Sequence, residues 1–371
     1  MRGSRARKAA VVTIAGLLAG ATAAVTATAV TATAVTAKAA TANGPSWRIV
    51  KQVHSGGNGQ FTAVTAVGKN GGWAFNGIQA PTAWERDGSS WKQVAFPGQK
   101  GGEEVIAAAA TSASDVWAFT DGTTKSRVLR WNGHAWSVVR TFTRAIGGAA
   151  VVNASDVWVF GEPFFPSAGF GAWNYNGHAW TQVKGGGGLE GGSATSANDV
   201  WAFDGADVAN WNGKTWTRTS VAHLLPAKQE LNDPAVTGIY AYSKNNVYAI
   251  GNGNLQDDGG PVVVLHYNGR TWTRVAEGNY GYGTQPLQQI ATDGHGGLWL
   301  PMPGVDGQQS HLLHYAGGHL TQATLPVSAS KINVDAIARI PGTADMLAGG
   351  DTHAASNPGT GVVSVLLQYG S

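Results

Sequence analysis

The sequence predicts an all-β fold, a closed ring of seven four-stranded antiparallel units. Three observations predict it. One segment recurs seven times at spacings of 41 to 51 residues, a hairpin signature follows it, and the start of the chain supplies what the last unit lacks.

The recurring segment is Ser114-Asp115-Val116-Trp117-Ala118-Phe119. It returns as Ser155-Asp156-Val157-Trp158-Val159-Phe160 and as Asn198-Asp199-Val200-Trp201-Ala202-Phe203. Weaker copies centre on Trp73, Tyr248 and Trp299, and the most degraded centres on Leu347. Self-similarity at such a period marks a repeat architecture, in which each unit buries its apolar face against its neighbours. Strand 1 of each unit is the preceding run of small residues, such as Ile106 to Ala110 or Ile146 to Val151. Small residues suit a crowded strand near an axis. Strand 2 is the Asp-Val-Trp segment itself.

Strands 3 and 4 flank the second signature, aromatic-Asn-Gly-x-x-Trp. It reads Trp131-Asn132-Gly133-His134-Ala135-Trp136, and recurs from Tyr175, Trp211 and Tyr267. The first unit has Asp87-Gly88-Ser89-Ser90-Trp91, and the sixth decays to Tyr315-Ala316-Gly317-Gly318-His319-Leu320. Asn-Gly between apolar positions predicts a hairpin with a type I′ turn, whose two central residues need positive φ. The seventh unit stops at Gln368-Tyr369-Gly370-Ser371, where Asn-Gly-x-x-Trp is due. Asn43-Gly44-Pro45-Ser46-Trp47 supplies it from the other end of the chain, so residues 46–53 are expected to pair with the last unit. Such closure removes free sheet edges. Together these features describe a seven-bladed β-propeller, four antiparallel strands per blade, closed by the N-terminal strand.

Composition agrees. The 371 residues include 53 glycines and 15 tryptophans, with 43% hydrophobic and 13% charged residues, enough to bury a core and to exclude global disorder. No Gly-X-Y period points to collagen. The chain has no cysteine, which excludes disulfides, thiol catalysis and cysteine zinc sites.

Residues 1–42 read as an export signal. Arg2, Arg5, Arg7 and Lys8 form a positive start, Ala9 to Ala24 is apolar, and Ala40-Thr41-Ala42 is a small-x-small cleavage pattern. The propeller domain is then 43–371. Without the leader's five basic residues, the 25 Lys and Arg fall to 20 against 22 acids, so the basic balance belongs to the leader. The remainder carries no electrostatic footprint for nucleic acid or an anionic membrane, and no stable membrane insertion is expected once the leader is gone.

The Ser-x-Asp-Val-Trp-Ala-Phe and Trp-Asn-Gly-x-x-Trp pattern covers residues 43–371 and resembles the secreted seven-bladed propeller repeats of actinobacteria and related bacteria. It departs from the sialidase Asp-box, Ser-x-Asp-x-Gly-x-x-Trp, because valine and tryptophan follow the aspartate directly. It also lacks the Gly-His to Trp-Asp spacing of WD40 repeats. The resemblance implies a lectin-like protein, comparable with the lectin components of secreted toxin particles.

Most conspicuous residues have a structural reading. Thirteen tryptophans sit at repeat positions, and Trp84 and Trp173 align with Leu129, so the set is assigned to blade packing. Asp115, Asp156, Asp199 and Asn246 recur at one turn, where such side chains bond local backbone. His134 and His178 share a slot with Lys214 and Arg270, and His311 and His314 point to opposite strand faces, so no metal site is expected. No Gly-x-Ser-x-Gly, His-Glu-x-x-His or phosphate loop appears, and the inner-strand runs hold no arginine cluster. No catalytic residue and no cofactor is assigned. Glu103 and Glu104 read as solvated acids of a Gly-rich loop.

The loops carry the functional expectation. The 1–2 and 3–4 turns share one face and are short and uniform. The 2–3 and 4–1 connections share the other face and hold all the length variation, the usual mark of a binding face. Ligand-binding candidates there are Phe164, Phe165, Phe170, Asp257, Asp258, Tyr280, Tyr282 and Asp306. The expected function is a secreted, extracellular, non-enzymatic recognition module. Aromatic rings would stack on sugars of a glycan or cell-surface polymer, and other secreted proteins would complete an assembly. The alternatives are a secreted glycan hydrolase or lyase at the channel mouth and a protein-interaction scaffold.

Overall fold

The computed structural model describes residues 44–54, 59–78, 80–98, 102–122, 125–161, 170–227, 233–253, 261–280, 289–302, 310–326, 331–353 and 362–370. They form a seven-bladed β-propeller of seven four-stranded antiparallel sheets, with a single short 3₁₀ turn at Ala222–Leu224. Six sheets take four consecutive strands. The seventh takes β26 (Lys331–Arg339), β27 (Met346–His353), β28 (Val363–Gly370) and, on its outside, β1 (Ser46–His54). The register of this closure runs from Ser46 opposite Gly370 to His54 opposite Val363, as the split repeat predicts.

The two signatures explain how the blades hold together. The strand-2 aromatic of one blade packs between the strand-3 and strand-4 aromatics of the next. Trp73 lies 4.8 Å from Trp131 and 5.0 Å from Trp136. Trp158 meets Trp211 and Trp216, and Trp201 meets Tyr267 and Trp272 in the same way. The closing blade repeats the arrangement across the chain ends, with Trp299 against Trp47 at 5.4 Å and Tyr369 at 5.3 Å. Edge-to-face and tilted pairs of this kind add to the large apolar area that each ring buries. No tryptophan is exposed, so the rings are spent on packing. Glycine allows the blades to approach near the axis: a Cβ on Gly192 would meet the Phe160 ring of the preceding blade at 2.6 Å.

The recurring aspartate does more than brace its own turn. Asp156 Oδ1 accepts from the Trp158 indole at 3.0 Å and from Asn174 of strand 3 at 2.7 Å. Asp199 repeats this with Trp201 and Asn210 at 3.1 and 3.2 Å. Asp115 takes the Trp117 indole at 3.3 Å and the Arg130 guanidinium at 2.5 Å. In the sixth blade Asp293 takes His314 at 2.9 Å. The position before the strand-3 aromatic therefore partners a polar turn residue; His314 meets the acid Asp293 there, and His266 meets the Asn246 amide oxygen at 2.9 Å.

The Asn-Gly hairpins form, but as four-residue connections instead of two-residue type I′ turns. Trp131 pairs directly with Trp136, and Asn132 Oδ1 accepts the backbone N–H of His134 and Ala135, both at 2.9 Å. Gly133 then takes φ +94°. The decayed sixth unit has the two-residue turn: Ala316 pairs with His319, with Gly317 at φ +57° and Gly318 at +85°.

Candidate functional site

The seven inner strands surround a central cavity of about 610 Å³. They are β2 (Phe61–Val67), β6 (Glu103–Ser112), β10 (Ile146–Asn153), β14 (Gly191–Ser196), β18 (Ala235–Ser243), β22 (Ala291–Thr292) and β26. The residues opposite the strand-2 aromatic or leucine are Thr65, Ala109, Ala150, Ser193, Tyr240, Ala291 and Ala338. The wall is thus mostly methyl and hydroxymethyl groups, and the space remains open because the repeat keeps these positions small. Charge enters only where the repeat is broken.

The main break lies at the mouth formed by the starts of the inner strands, on the long-loop face. Glu103 and Glu104 are not loop residues. They open β6, and Glu104 pairs directly with Asp121 of β7 (Asp115–Gly122). Alternation sends the two glutamates different ways. Glu103 is buried in an ion pair with Arg127 and takes the Thr120 hydroxyl at 2.6 Å. Glu104 and Asp121 line the cavity. Two carboxyls directly opposite on one sheet disfavour each other's ionisation. Burial, with the Asp121 carboxyl next to it, pushes Glu104 up to about 7. Burial also raises Asp121, partly offset by the Gly122 N–H and by Ser126, whose hydroxyl donates at 3.4 Å. Asp335 of β26, one blade beyond the first, joins this field. Burial, then Asp351 and Glu104, hold its carboxyl well above the usual carboxylate range, and its shielded Oδ2 has no hydrogen-bond partner.

Glu103 has Arg127, Asp115 has Arg130 and Asp293 has His314, whereas no described cation pairs with Glu104, Asp121 or Asp335. Among the described residues no group of three or more His, Asp or Glu could hold a metal ion.

Of the sequence candidates, Phe164, Phe165, Asp257, Asp258, Tyr282 and Asp306 lie outside the described residues. Phe170 is a correction. It is 4% exposed and packs edge-on to Phe142 at 5.2 Å, so its ring fills the core between blades and offers no surface to a ligand. Tyr280 is half-buried, and its hydroxyl donates to the Leu320 carbonyl at 3.1 Å. Sequence reasoning missed Glu104, Asp121 and Asp335. For Glu104 and Asp335 the available signal was an acid within an inner-strand run, whereas Asp121 falls near the end of strand 2.

No protein-family model matches the chain, and no curated protein matches it. Solved structures do, as folds. YCF48 bound to D1 peptide matches at TM-score 0.56 and 13% identity, over 88% of this chain and 97% of that one. The WD40 β-propeller domain of Doa1 matches at TM-score 0.57 and 11% identity, over 86% and 96%. The RRP9 WD40 repeats match at TM-score 0.56 and 13% identity, over 87% and 99%. At these identities the likeness shows the propeller fold alone.

Proposed function

We propose that the protein is a non-catalytic recognition propeller that seats a positively charged segment of a protein partner at the long-loop mouth of its channel. One observation carries this reading: Glu104 and Asp121 face each other on the cavity wall, and no cation among the described residues pairs with either. A lysine or arginine side chain entering the mouth would relieve their repulsion. A fold neighbour captured with a peptide supports the same kind of use.

Catalysis by the same carboxyls is the weaker reading. An acid–base pair needs two groups whose proton affinities are pushed apart, and here burial raises both. A glycan ligand on the long-loop face rests on candidates other than these acids.

The test is fluorescence anisotropy of a labelled tetralysine peptide titrated with the protein at low ionic strength. Binding is expected, with tetraglutamate and neutral oligosaccharides inert. Glu104→Gln with Asp121→Asn should weaken it about tenfold or more, the scale of losing charge-assisted hydrogen bonds. Equal affinity in wild type and double variant would sink the reading.

A further inference from the structure

The opposite mouth, on the short-turn face, breaks the repeat in a different way, and we propose that Arg339 and Tyr240 form a second site there that takes the carboxylate of an acidic sugar.

The inference starts from position. At the place opposite the strand-2 aromatic, six blades carry alanine, serine, threonine or a like small residue, and β18 carries Tyr240. One residue further on, the other blades carry small or β-branched residues, and β26 ends in Arg339, opposite Met346. Both side chains line the cavity. They come from blades five and seven, with the short β22 between them, so they converge over one narrow sector of the mouth. The repeat does not require either residue, because the same positions elsewhere are filled without a large or charged group, although Tyr240 also packs on the core shared by the fifth and sixth blades.

Both are held in place. The Arg339 Nε donates to the Thr343 carbonyl at 2.7 Å, which fixes the plane of the guanidinium and leaves its terminal nitrogens for another acceptor. Its flank lies against Gly294, at φ +82°, where any Cβ would collide with the guanidinium. No carboxylate among the described residues forms an ion pair with Arg339. Tyr240 stands edge-on to Tyr242, ring centroids 4.9 Å apart. The Tyr242 hydroxyl is committed, donating to the Gly297 carbonyl at 2.7 Å and sharing a 2.8 Å bond with Thr292. That brace leaves the Tyr240 ring and hydroxyl as the adaptable part of the site, within the electrostatic reach of Arg339.

The chemistry follows from this pair. A guanidinium fork matches a carboxylate in two parallel hydrogen bonds. A tyrosine beside it gives an apolar edge for a sugar ring and a hydroxyl for its oxygens. The channel onto which both residues face has a volume of about 610 Å³ in all, room for a sugar ring at this mouth. A uronic acid carries carboxylate and ring in one rigid unit and so engages both residues at once.

The experiment is calorimetric titration of the full chain with a glucuronic-acid disaccharide, a neutral disaccharide of equal size, and a dialanine peptide with a free C-terminus. The acidic disaccharide should bind, and the other two should bind at least about tenfold more weakly. Arg339→Gln should weaken the acidic disaccharide about tenfold or more, and Tyr240→Phe, which keeps the ring and the fold, about threefold. His134→Ala, in an exposed turn of the same face, should leave it unchanged. Tetralysine binding at the other mouth should persist in Arg339→Gln, which reports an intact fold and separates this site from the first. Equal binding of the two disaccharides, preference for the peptide carboxylate, or undiminished binding by Arg339→Gln would each overturn the proposal.

Discussion

At the residue scale, the balance between two glutamates one position apart shows how the fold sorts charge. Glu103 is buried with Arg127 and belongs to the packing, whereas Glu104 is half-buried beside Asp121 and pairs with no cation among the described residues. A carboxyl whose proton affinity is higher in the folded chain makes folding most favourable where it is protonated. Stability should therefore be greatest near pH 4.5, fall as pH rises toward about 7, and flatten beyond, by at most about 3 kcal/mol from Glu104 alone. Thermal melts from pH 5 to pH 8 check this. Glu104→Gln should raise Tm at pH 8 and reduce the slope between these limits, the raised carboxyls of Asp121 and Asp335 supplying the rest. An unchanged slope would mean that Glu104 is ionised at neutral pH. The sequence did not disclose this arrangement. Glycines precede Glu103-Glu104 and make the segment read as a loop, and only the pairing with β7 shows that β6 begins there.

At the element scale, the closing strand decides whether the ring holds. β1 brings Trp47, 6% exposed, into the place that Trp136 or Trp216 fills in other blades. Trp47→Ala removes the edge contact with Trp299 and the packing on Tyr369, and should cost about 3–5 kcal/mol, the usual range for deleting a buried large aromatic. Chemical denaturation measures it, and a loss under about 1 kcal/mol would show that β1 closes nothing. This element was legible in the chain because its signature is local: Asn-Gly-x-x-Trp is recognisable even when its partner strand lies more than three hundred residues away. The turn geometry was less legible. The count of residues between paired aromatics depends on register, and the four-residue form needs the Asn132 side chain to take two backbone N–H groups. Arg339 was hidden for a related reason. The seventh unit is the most degraded copy, so its inner strand could not be aligned residue by residue until β26 was seen beside β27.

At the scale of the whole molecule, repetition builds the ring and its exceptions supply the chemistry. Seven nearly equivalent blades bury their aromatics against one another and leave a channel walled by small residues. Onto that neutral wall the chain places acids at the long-loop mouth and an arginine with tyrosine at the other. The central claim is that the unneutralised pair at the long-loop mouth is a seat for a cationic partner. A carbon-13 carboxyl NMR titration of Glu104, with and without tetralysine, tests it most directly. The expected midpoint is about 7 in the free protein, moving down by a unit or more when the peptide is present, because a bound cation favours the ionised form. A midpoint near 4.5 in the free protein, or one that the peptide leaves in place, would contradict it.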